Sequence, residues 1–189
     1  AIEPRRKSLS AVYIDGEFAM KLDTACLLEN HIKAGSEITD EELHELIKKS
    51  DAHRAKERAL YLITYRDHSK KELTQKIKRT TSEEAAKQAV EKLEELGLIN
   101  DDSYAERYAR DLLNLKHMAP RGIIYKLQEK GIDKELANRV VEEMEIDPQI
   151  ELCVIIEKKY VNRLSDEKEK RRAVAALQRL GYSWSDIKQ

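Results

Sequence analysis

The sequence contains few cysteines, prolines, glycines and aromatic residues. Its 189 residues include 2 Cys, 3 Pro and 6 Gly, and aromatic residues make up 5%. These low counts argue against collagen-like chains, flexible linkers and β-sandwiches with many turns. No apolar run approaches the roughly 20 residues needed to span a bilayer, whereas a hydrophobic content of 41% is too high for a fully disordered chain. We therefore expect a soluble, mostly helical protein.

The cysteines and the N-terminal segment give no sign of export. Cys26 and Cys153 lie far apart among aliphatic residues, a context typical of buried, unreactive thiols rather than of a disulfide. Residues 1–7 are basic, but no apolar stretch of the secretory type follows them. The sequence predicts a cytoplasmic protein that does not interact with membranes.

Motifs for catalysis and cofactor binding are also missing. The glycines form neither the GxxxxGK[ST] nor the GxGxxG pattern, and the histidines and cysteines show no zinc-ligand spacing. The acidic cluster around His44, residues 41–45, is interpreted as a solvated helix face, and Asp101 and Asp102 as the first turn of a helix. We expect no catalytic residues, no cofactor and no metal, and therefore a protein that is not an enzyme.

One stretch near the N-terminus has the pattern of a β-hairpin. Asp15-Gly16 lies between two apolar segments within residues 9–22, and both turn positions of such a hairpin must accept a positive φ. From residue 24 onward the pattern is helical, with capping boxes beginning at Thr39 and Ser69. The predicted fold is mainly α with a small N-terminal β-hairpin.

The chain resembles itself when it is shifted by 50 residues. Ala55, Ala59 and Leu62 align with Ala105, Ala109 and Leu112, and the match continues through three helical segments, with one extra residue before the third. A third, weaker copy stops within the first turn of its last helix. We therefore predict an elongated, curved array of tandem three-helix repeats, divided as follows: residues 1–50, the hairpin plus two helices; 51–99, repeat 1; 100–146, repeat 2; 147–189, repeat 3 with a truncated last helix.

Two pairs of tyrosines have helical spacing. Tyr61 and Tyr65, and likewise Tyr104 and Tyr108, are four residues apart, as in a platform on which single-stranded bases could stack. Because the neighbouring alanines repeat faithfully and the tyrosines do not, we interpret both pairs as edges of the amphipathic core.

The net charge of −1 conceals a sorting of charge by helix. The middle helix of each repeat is basic, with five Lys/Arg against one acid in residues 69–80, three against one in 119–131 and five against three in 166–181. The third helices of repeats 1 and 2 are acidic. Such a surface suits a polyanion or an acidic protein groove, although basic residues can also serve only to keep a helix solvated. We define the basic edge by its twelve residues: Lys70, Lys71, Lys76, Lys78, Arg79, Arg121, Lys126, Lys130, Lys170, Arg171, Arg172 and Arg179.

Several spaced motifs together resemble the RecX family. The segment 97–109, GLINDDSYAERYA, is similar to the most distinctive stretch of that family. Further matches are Arg58-Ala59-Leu60, Leu62, Arg66, Ser69 and Glu72-Leu73 in repeat 1, Pro120-Arg121-Gly122 and Leu127 to Ile132 in repeat 2, and Ala176-Leu177 with Arg179 to Ser183 in repeat 3. Two departures are the segment 116–120, where relatives often have a glycine-rich entry, and the nearly absent final helix.

The resemblance implies a non-enzymatic regulator of the RecA recombinase. Proteins of this family bind along the helical groove of the RecA filament and restrain its ATPase, strand-exchange and coprotease activities in DNA repair and the SOS response. By this resemblance the partner would be the RecA filament, and the basic edge offers a face toward it or the DNA within it. We expect the chain to act as a monomer.

A different interpretation is a DNA-binding protein. The segment 39–79 could form a helix-turn-helix module, with Arg54, Arg58, Lys76 and Arg79 available for phosphate contacts. For a regulator of RecA we expect DNA to be at most a weak further partner, whereas a DNA-binding protein should bind DNA in a salt-dependent way without recombinase.

Overall fold

The computed structural model describes residues 1–5, 8–161 and 166–188. The chain forms two compact units, residues 1–99 and 100–189. Unit 1 holds a small sheet, one short helix and the first three-helix repeat, and unit 2 holds the other two repeats. Arg6 and Lys7, which belong to the basic N-terminal segment of the sequence, lie outside the described residues.

The N-terminal sheet has three antiparallel strands in the order β1-β2-β3. They are β1 (Ile2–Pro4), β2 (Leu9–Ile14) and β3 (Glu17–Asp23). The predicted hairpin is confirmed as β2 and β3, and its turn residues Asp15 and Gly16 have φ values of 50° and 88°. Strand β1 was not predicted, because three residues ending in proline are too few to show the alternation of a strand.

A short helix and the start of a long one close the core beneath this sheet. Helix α1 (Thr24–Glu29) is capped by the Asp23 carboxylate, which accepts a hydrogen bond from the Cys26 backbone amide. Helix α2 (Asp40–Tyr65) begins with the predicted capping box of Thr39 and Glu42. Because α2 is continuous from residue 40 to 65, one helix serves both the N-terminal part and repeat 1. The core residues are Val12, Leu22, Cys26, Leu27 and Leu46.

Repeat 1 is completed by two shorter helices, α3 (Lys70–Ile77) and α4 (Glu83–Glu95). Ser69 and Ser82 cap them, each side chain accepting a hydrogen bond from a backbone amide three residues later. The apolar residues that recur between the repeats form one core, and the following are all buried: Ala55, Ala59, Leu62, Leu73, Ile77, Ala86, Val90 and Leu93.

Unit 2 repeats the same three-helix arrangement. Its helices are α5 (Asp101–Lys116), α6 (Pro120–Glu129), α7 (Lys134–Glu143), α8 (Pro148–Lys159), α9 (Glu167–Arg179) and α10 (Trp184–Lys188). The segment 116–120 turns without glycine, because His117 takes the left-handed conformation at φ 50° and Pro120 begins the next helix. The predicted tandem three-helix repeats are therefore confirmed, and α10 as described has five residues.

Repeats 2 and 3 pack closely inside unit 2. The Ala119 amide donates a hydrogen bond of 3.0 Å to the carbonyl oxygen of Leu180, and the Tyr182 hydroxyl donates one of 2.7 Å to the carbonyl oxygen of His117. A side chain has no room where the backbones meet: a Cβ on Gly122 would lie 2.2 Å from the Leu180 carbonyl oxygen. Burial of the tyrosine in this junction raises the pKa of Tyr182 to about 12.

Two predictions about individual side chains were wrong. Cys26 is buried as expected, but Cys153 is exposed, because the core stripe of α8 passes through Leu152 and Ile155 and not through Cys153. Tyr61 and Tyr65 are 51% and 70% exposed, whereas Tyr104 is buried. Identical spacing thus leads to different burial, because spacing places two side chains on one face without specifying which face packs.

The described helices include none that combines the length and the apolar character required of a membrane-spanning segment.

Candidate partner-binding surface

The middle helices α3, α6 and α9 present the basic edge. Each has two buried residues four apart that fix its orientation: Leu73 and Ile77, Ile123 and Leu127, and Ala173 and Leu177. With these residues inward, the cations of the basic edge are exposed or half-buried at the surface of their repeat. The twelve residues therefore lie outside the cores, but nothing in the fold assigns them a partner.

Many of these cations are held by acids of the same repeat. In unit 1, Lys70 pairs with Glu94 at 2.9 Å and Lys78 with Glu83 at 2.5 Å, both joining α3 to α4. The basic middle helix and the acidic third helix therefore partly neutralise each other, which the sorting of charge by helix had not revealed. In unit 2, Lys126 pairs with Glu129, Arg171 with Glu167, and Arg172 with Glu169. Lys130 lies 5.8 Å from the centre of the Tyr108 ring, and Arg179 donates to the Ala175 carbonyl oxygen.

Among the residues that the structure describes, four cations of the basic edge have no such partner: Lys71, Arg79, Arg121 and Lys170. Two of them, Lys71 and Arg121, occupy the same place in repeats 1 and 2, two residues before the buried Leu73 and Ile123. The equivalent residue of repeat 3 is Arg171, whose 3.7 Å pair with Glu167 is formed between side chains that are 81% and 71% exposed. Such a pair contributes little. We call Lys71, Arg121 and Arg171 the recurring cations.

Lys76 has a different role, because its ammonium is engaged with a buried histidine. Its Nζ lies 2.9 Å from His68 Nε2, and His68 Nδ1 lies 2.8 Å from the Arg66 carbonyl oxygen. A carbonyl only accepts and an ammonium only donates, so Nδ1 carries the proton and the ring is neutral. Burial, reinforced by the nearby charges of Arg66 and Lys76, lowers the pKa of His68.

This histidine should make the stability of the protein pH-dependent. Because the folded-state pKa of His68 is lowered, the unfolded chain binds a proton that the folded chain excludes. Stability is then lost as the pH falls below the unfolded value of about 6.5. The His68→Gln variant should show a weaker loss of unfolding free energy between pH 7.5 and 5.5 in urea titrations, the slope changing by at most about 1.4 kcal/mol per pH unit. The exposed His44→Gln variant is the control, and equal slopes in both variants would contradict this assignment.

Exposed aromatic and aliphatic side chains lie near the end of the first helices. Tyr61 and Tyr65 share a 2.8 Å hydrogen bond between their hydroxyls, and the guanidinium of Arg58 lies 5.4 Å from the centre of the Tyr61 ring. The hydrogen bond with Tyr61 raises the pKa of Tyr65. Leu115, which is 74% exposed, occupies in repeat 2 the place of Tyr65 in repeat 1. The sequence aligns these two residues and predicts the tyrosine pair at the edge of the amphipathic core, whereas both side chains are exposed.

Known families and structures provide an independent comparison. A family model described as "RecX, first three-helix domain" matches residues 55–93, and one described as "RecX, second three-helix domain" matches residues 100–141. These ranges fall within repeats 1 and 2.

Curated relatives carry the same name. The chain is 32% identical to the regulatory protein RecX of Caldanaerobacter subterraneus subsp. tengcongensis over 142 residues, covering 75% of this chain and 72% of the relative. It is 31% identical to that of Clostridium beijerinckii, covering 84% and 75%. With that of Clostridioides difficile it shares 26% identity over 93% of this chain and 82% of the relative.

Solved structures agree on the fold. A crystal structure of the regulatory protein RecX superposes with a TM-score of 0.62 at 21% identity, covering 100% of this chain and 96% of that one. The structure of RecX from Lactobacillus salivarius superposes with a TM-score of 0.59 at 29% identity, covering 73% of this chain and 92% of that one.

The relatives are named as regulatory proteins and not as enzymes. With two repeats matching the domains of one family, and relatives above 30% identity over most of their length, the chain belongs to the RecX family of regulatory proteins.

Proposed function

We propose that this protein binds the RecA nucleoprotein filament in its helical groove and inhibits or modulates its ATPase, strand-exchange and coprotease activities. It would act as a monomer in the cytoplasm and without catalysis of its own. The observation that carries this proposal, beyond membership of the family, is the recurring cation: each repeat presents one exposed Lys or Arg at the same helical position. A filament is itself a repeat of identical protomers. A protein with one such cation per repeat can therefore contact equivalent sites on successive protomers.

The mechanism that follows is occlusion by bridging. A chain of three linked repeats that contacts neighbouring protomers should bind more tightly than a single repeat, because the first contact raises the effective concentration of the other two. Once bound, it would hinder the subunit motions and groove access that turnover needs. Surface charge of this kind mainly raises the association rate and orients the partner, so we expect the inhibition to weaken with salt.

The direct test is ATP hydrolysis by RecA on single-stranded DNA with increasing amounts of this protein. We expect a dose-dependent decrease in hydrolysis and, in parallel, in strand exchange, with co-sedimentation of the protein with the filament. At higher ionic strength the half-inhibitory concentration should rise, because exposed charges are screened beyond about 10 Å at 0.1 M salt. Unchanged hydrolysis and strand exchange at excess protein would refute the proposal.

The second candidate is DNA binding by the segment 39–79. It is favoured by Lys71 and Arg79, which lie in or just after α3 and lack a partner among the described side chains. In this case the protein should bind DNA without RecA, and the logarithm of the affinity should fall linearly with the logarithm of the salt concentration. Fluorescence anisotropy with labelled single- and double-stranded DNA decides between the two functions.

A further inference from the structure

We propose that Asp23, His53 and Glu57 form a binding site for a divalent transition-metal ion of the Zn²⁺ type. One nitrogen and two carboxylate oxygens, one ligand atom from each residue, lie within 4.8 Å of one another. Asp23 ends β3 and caps α1, whereas His53 and Glu57 lie one turn apart on the same face of α2. The site lies within unit 1, apart from the basic edge, and it does not depend on the proposed function.

Two buried atoms of this group lack the partner that they require. Asp23 is 1% exposed, yet its Oδ2 accepts no hydrogen bond, and His53 Nδ1 is buried without a hydrogen bond as well. Buried polar atoms are nearly always satisfied, and a buried carboxylate oxygen without a partner is unfavourable. His53 Nδ1 and Asp23 Oδ1 lie 3.1 Å apart, but without the alignment of a hydrogen bond. Two ligands that approach each other in this way, without bonding to each other, are arranged as they would be around a shared cation.

The separation of these two atoms fits a tetrahedral ion. With metal–ligand bonds of about 2.0–2.1 Å, neighbouring ligands of a tetrahedral Zn²⁺ lie about 3.3 Å apart. The observed 3.1 Å is close to that edge. Glu57 is exposed and can approach from the solvent side, which leaves an entry route and a fourth position for water.

The surroundings hold the buried ligand in place. The Asp23 carboxylate accepts a hydrogen bond of 3.2 Å from the Cys26 amide, and the Asp23 amide donates one of 2.7 Å to Ser50 Oγ on α2. Such contacts orient a ligand before the metal arrives. A donor set of one imidazole and two carboxylates favours first-row divalent ions over Mg²⁺ and Ca²⁺, which prefer oxygen ligands alone. A bound ion would fasten the end of β3 and the start of α1 to α2.

The test uses the full chain without an affinity tag, stripped of metal. Isothermal titration with ZnCl₂ should show one site per chain, and replacement by Co²⁺ should give the visible absorption of a tetrahedral ion. At Zn²⁺ about 100-fold above the dissociation constant, the Tm should rise by roughly 5–10 °C. His53→Gln and Glu57→Gln should each weaken Zn²⁺ binding at least tenfold. His53 is partly exposed, Glu57 is exposed and neither residue caps a helix, so these variants should fold.

The matched control is the double variant Glu41→Gln, His44→Gln, which removes an exposed acid and an exposed histidine from the same helix. It should bind Zn²⁺ like the unchanged protein. Absence of a stoichiometric site, absence of a Tm increase, or equal binding by the His53 and Glu57 variants would each overturn the proposal.

Discussion

Replacing Gly122 with alanine should lower the free energy of unfolding by about 2 kcal/mol. The sign is unusual, because an alanine in a helix is normally about 1 kcal/mol more favourable than a glycine. In α6 the added Cβ would lie 2.2 Å from the Leu180 carbonyl oxygen and 2.8 Å from its carbon. Backbone atoms cannot rotate away as a flexible side chain could, so the close packing of repeats 2 and 3 would have to open.

Gly181 faces Gly122 across the same junction, and its replacement should be more harmful. It has φ +97°, and a Cβ there would lie 2.3 Å from the Gly122 amide nitrogen. The strain of the left-handed backbone adds to the steric overlap of the new Cβ. We therefore expect Gly181→Ala to lower the free energy of unfolding by about 3 kcal/mol. The control is Gly35→Ala, since Gly35 has φ +87° but open space around it; strain alone should lower its stability by only about 1 kcal/mol.

Urea unfolding can measure these losses at the junction itself. Trp184, the only tryptophan of the chain, begins α10 in repeat 3. Its fluorescence reports on this repeat, while circular dichroism at 222 nm reports on all helices. A Gly122→Ala variant that is as stable as the unchanged protein, or more stable, would show that the two repeats do not require this contact.

Reversing the three recurring cations should raise the concentration of protein needed for half-inhibition of RecA ATP hydrolysis at least about tenfold, which corresponds to 1.4 kcal/mol. The variant is Lys71→Glu, Arg121→Glu, Arg171→Glu. These positions suit the test better than Lys70 and Lys78, because reversing either lysine would break its ion pair with α4. Lys71 and Arg121 have no ion pair among the described side chains, and the 3.7 Å pair of Arg171 with Glu167 lies between highly exposed side chains and contributes little. The reversal should therefore act on the partner rather than on the fold.

The matched control carries the same change of charge on other helices: Lys56→Glu, Lys134→Glu, Lys159→Glu. These lysines are exposed on α2, α7 and α8, and no ion pair holds them in the described structure. If docking depends on the basic edge, the control should inhibit nearly as well as the unchanged protein. Equal weakening in both variants would indicate that only net charge matters, and full inhibition by the first variant would place the contact elsewhere.

Local signals in the sequence determine much of this fold. Thr39, Ser69 and Asp15-Gly16 each specify a cap or a turn through their own side chains and backbone preferences, so they could be located without knowing their neighbours. The 50-residue period identified the repeated core, because Leu73 and Ile123 must face inward in the same way for each repeat to pack. The family resemblance, whose motifs include Ser69 and Leu73, was confirmed.

Only the tertiary structure decided which side chains are buried and which distant residues are in contact. Cys153 and Tyr65 lie beside core residues in sequence but outside the core in space. Likewise, the net charge of a helix gives no sign that Lys70 and Lys78 are matched by acids of α4. Asp23 and His53 are 30 positions apart, so only the packing of β3 against α2 brings their atoms to 3.1 Å. A sequence pattern specifies the local geometry of one element, whereas contacts between distant residues exist only once the elements have packed.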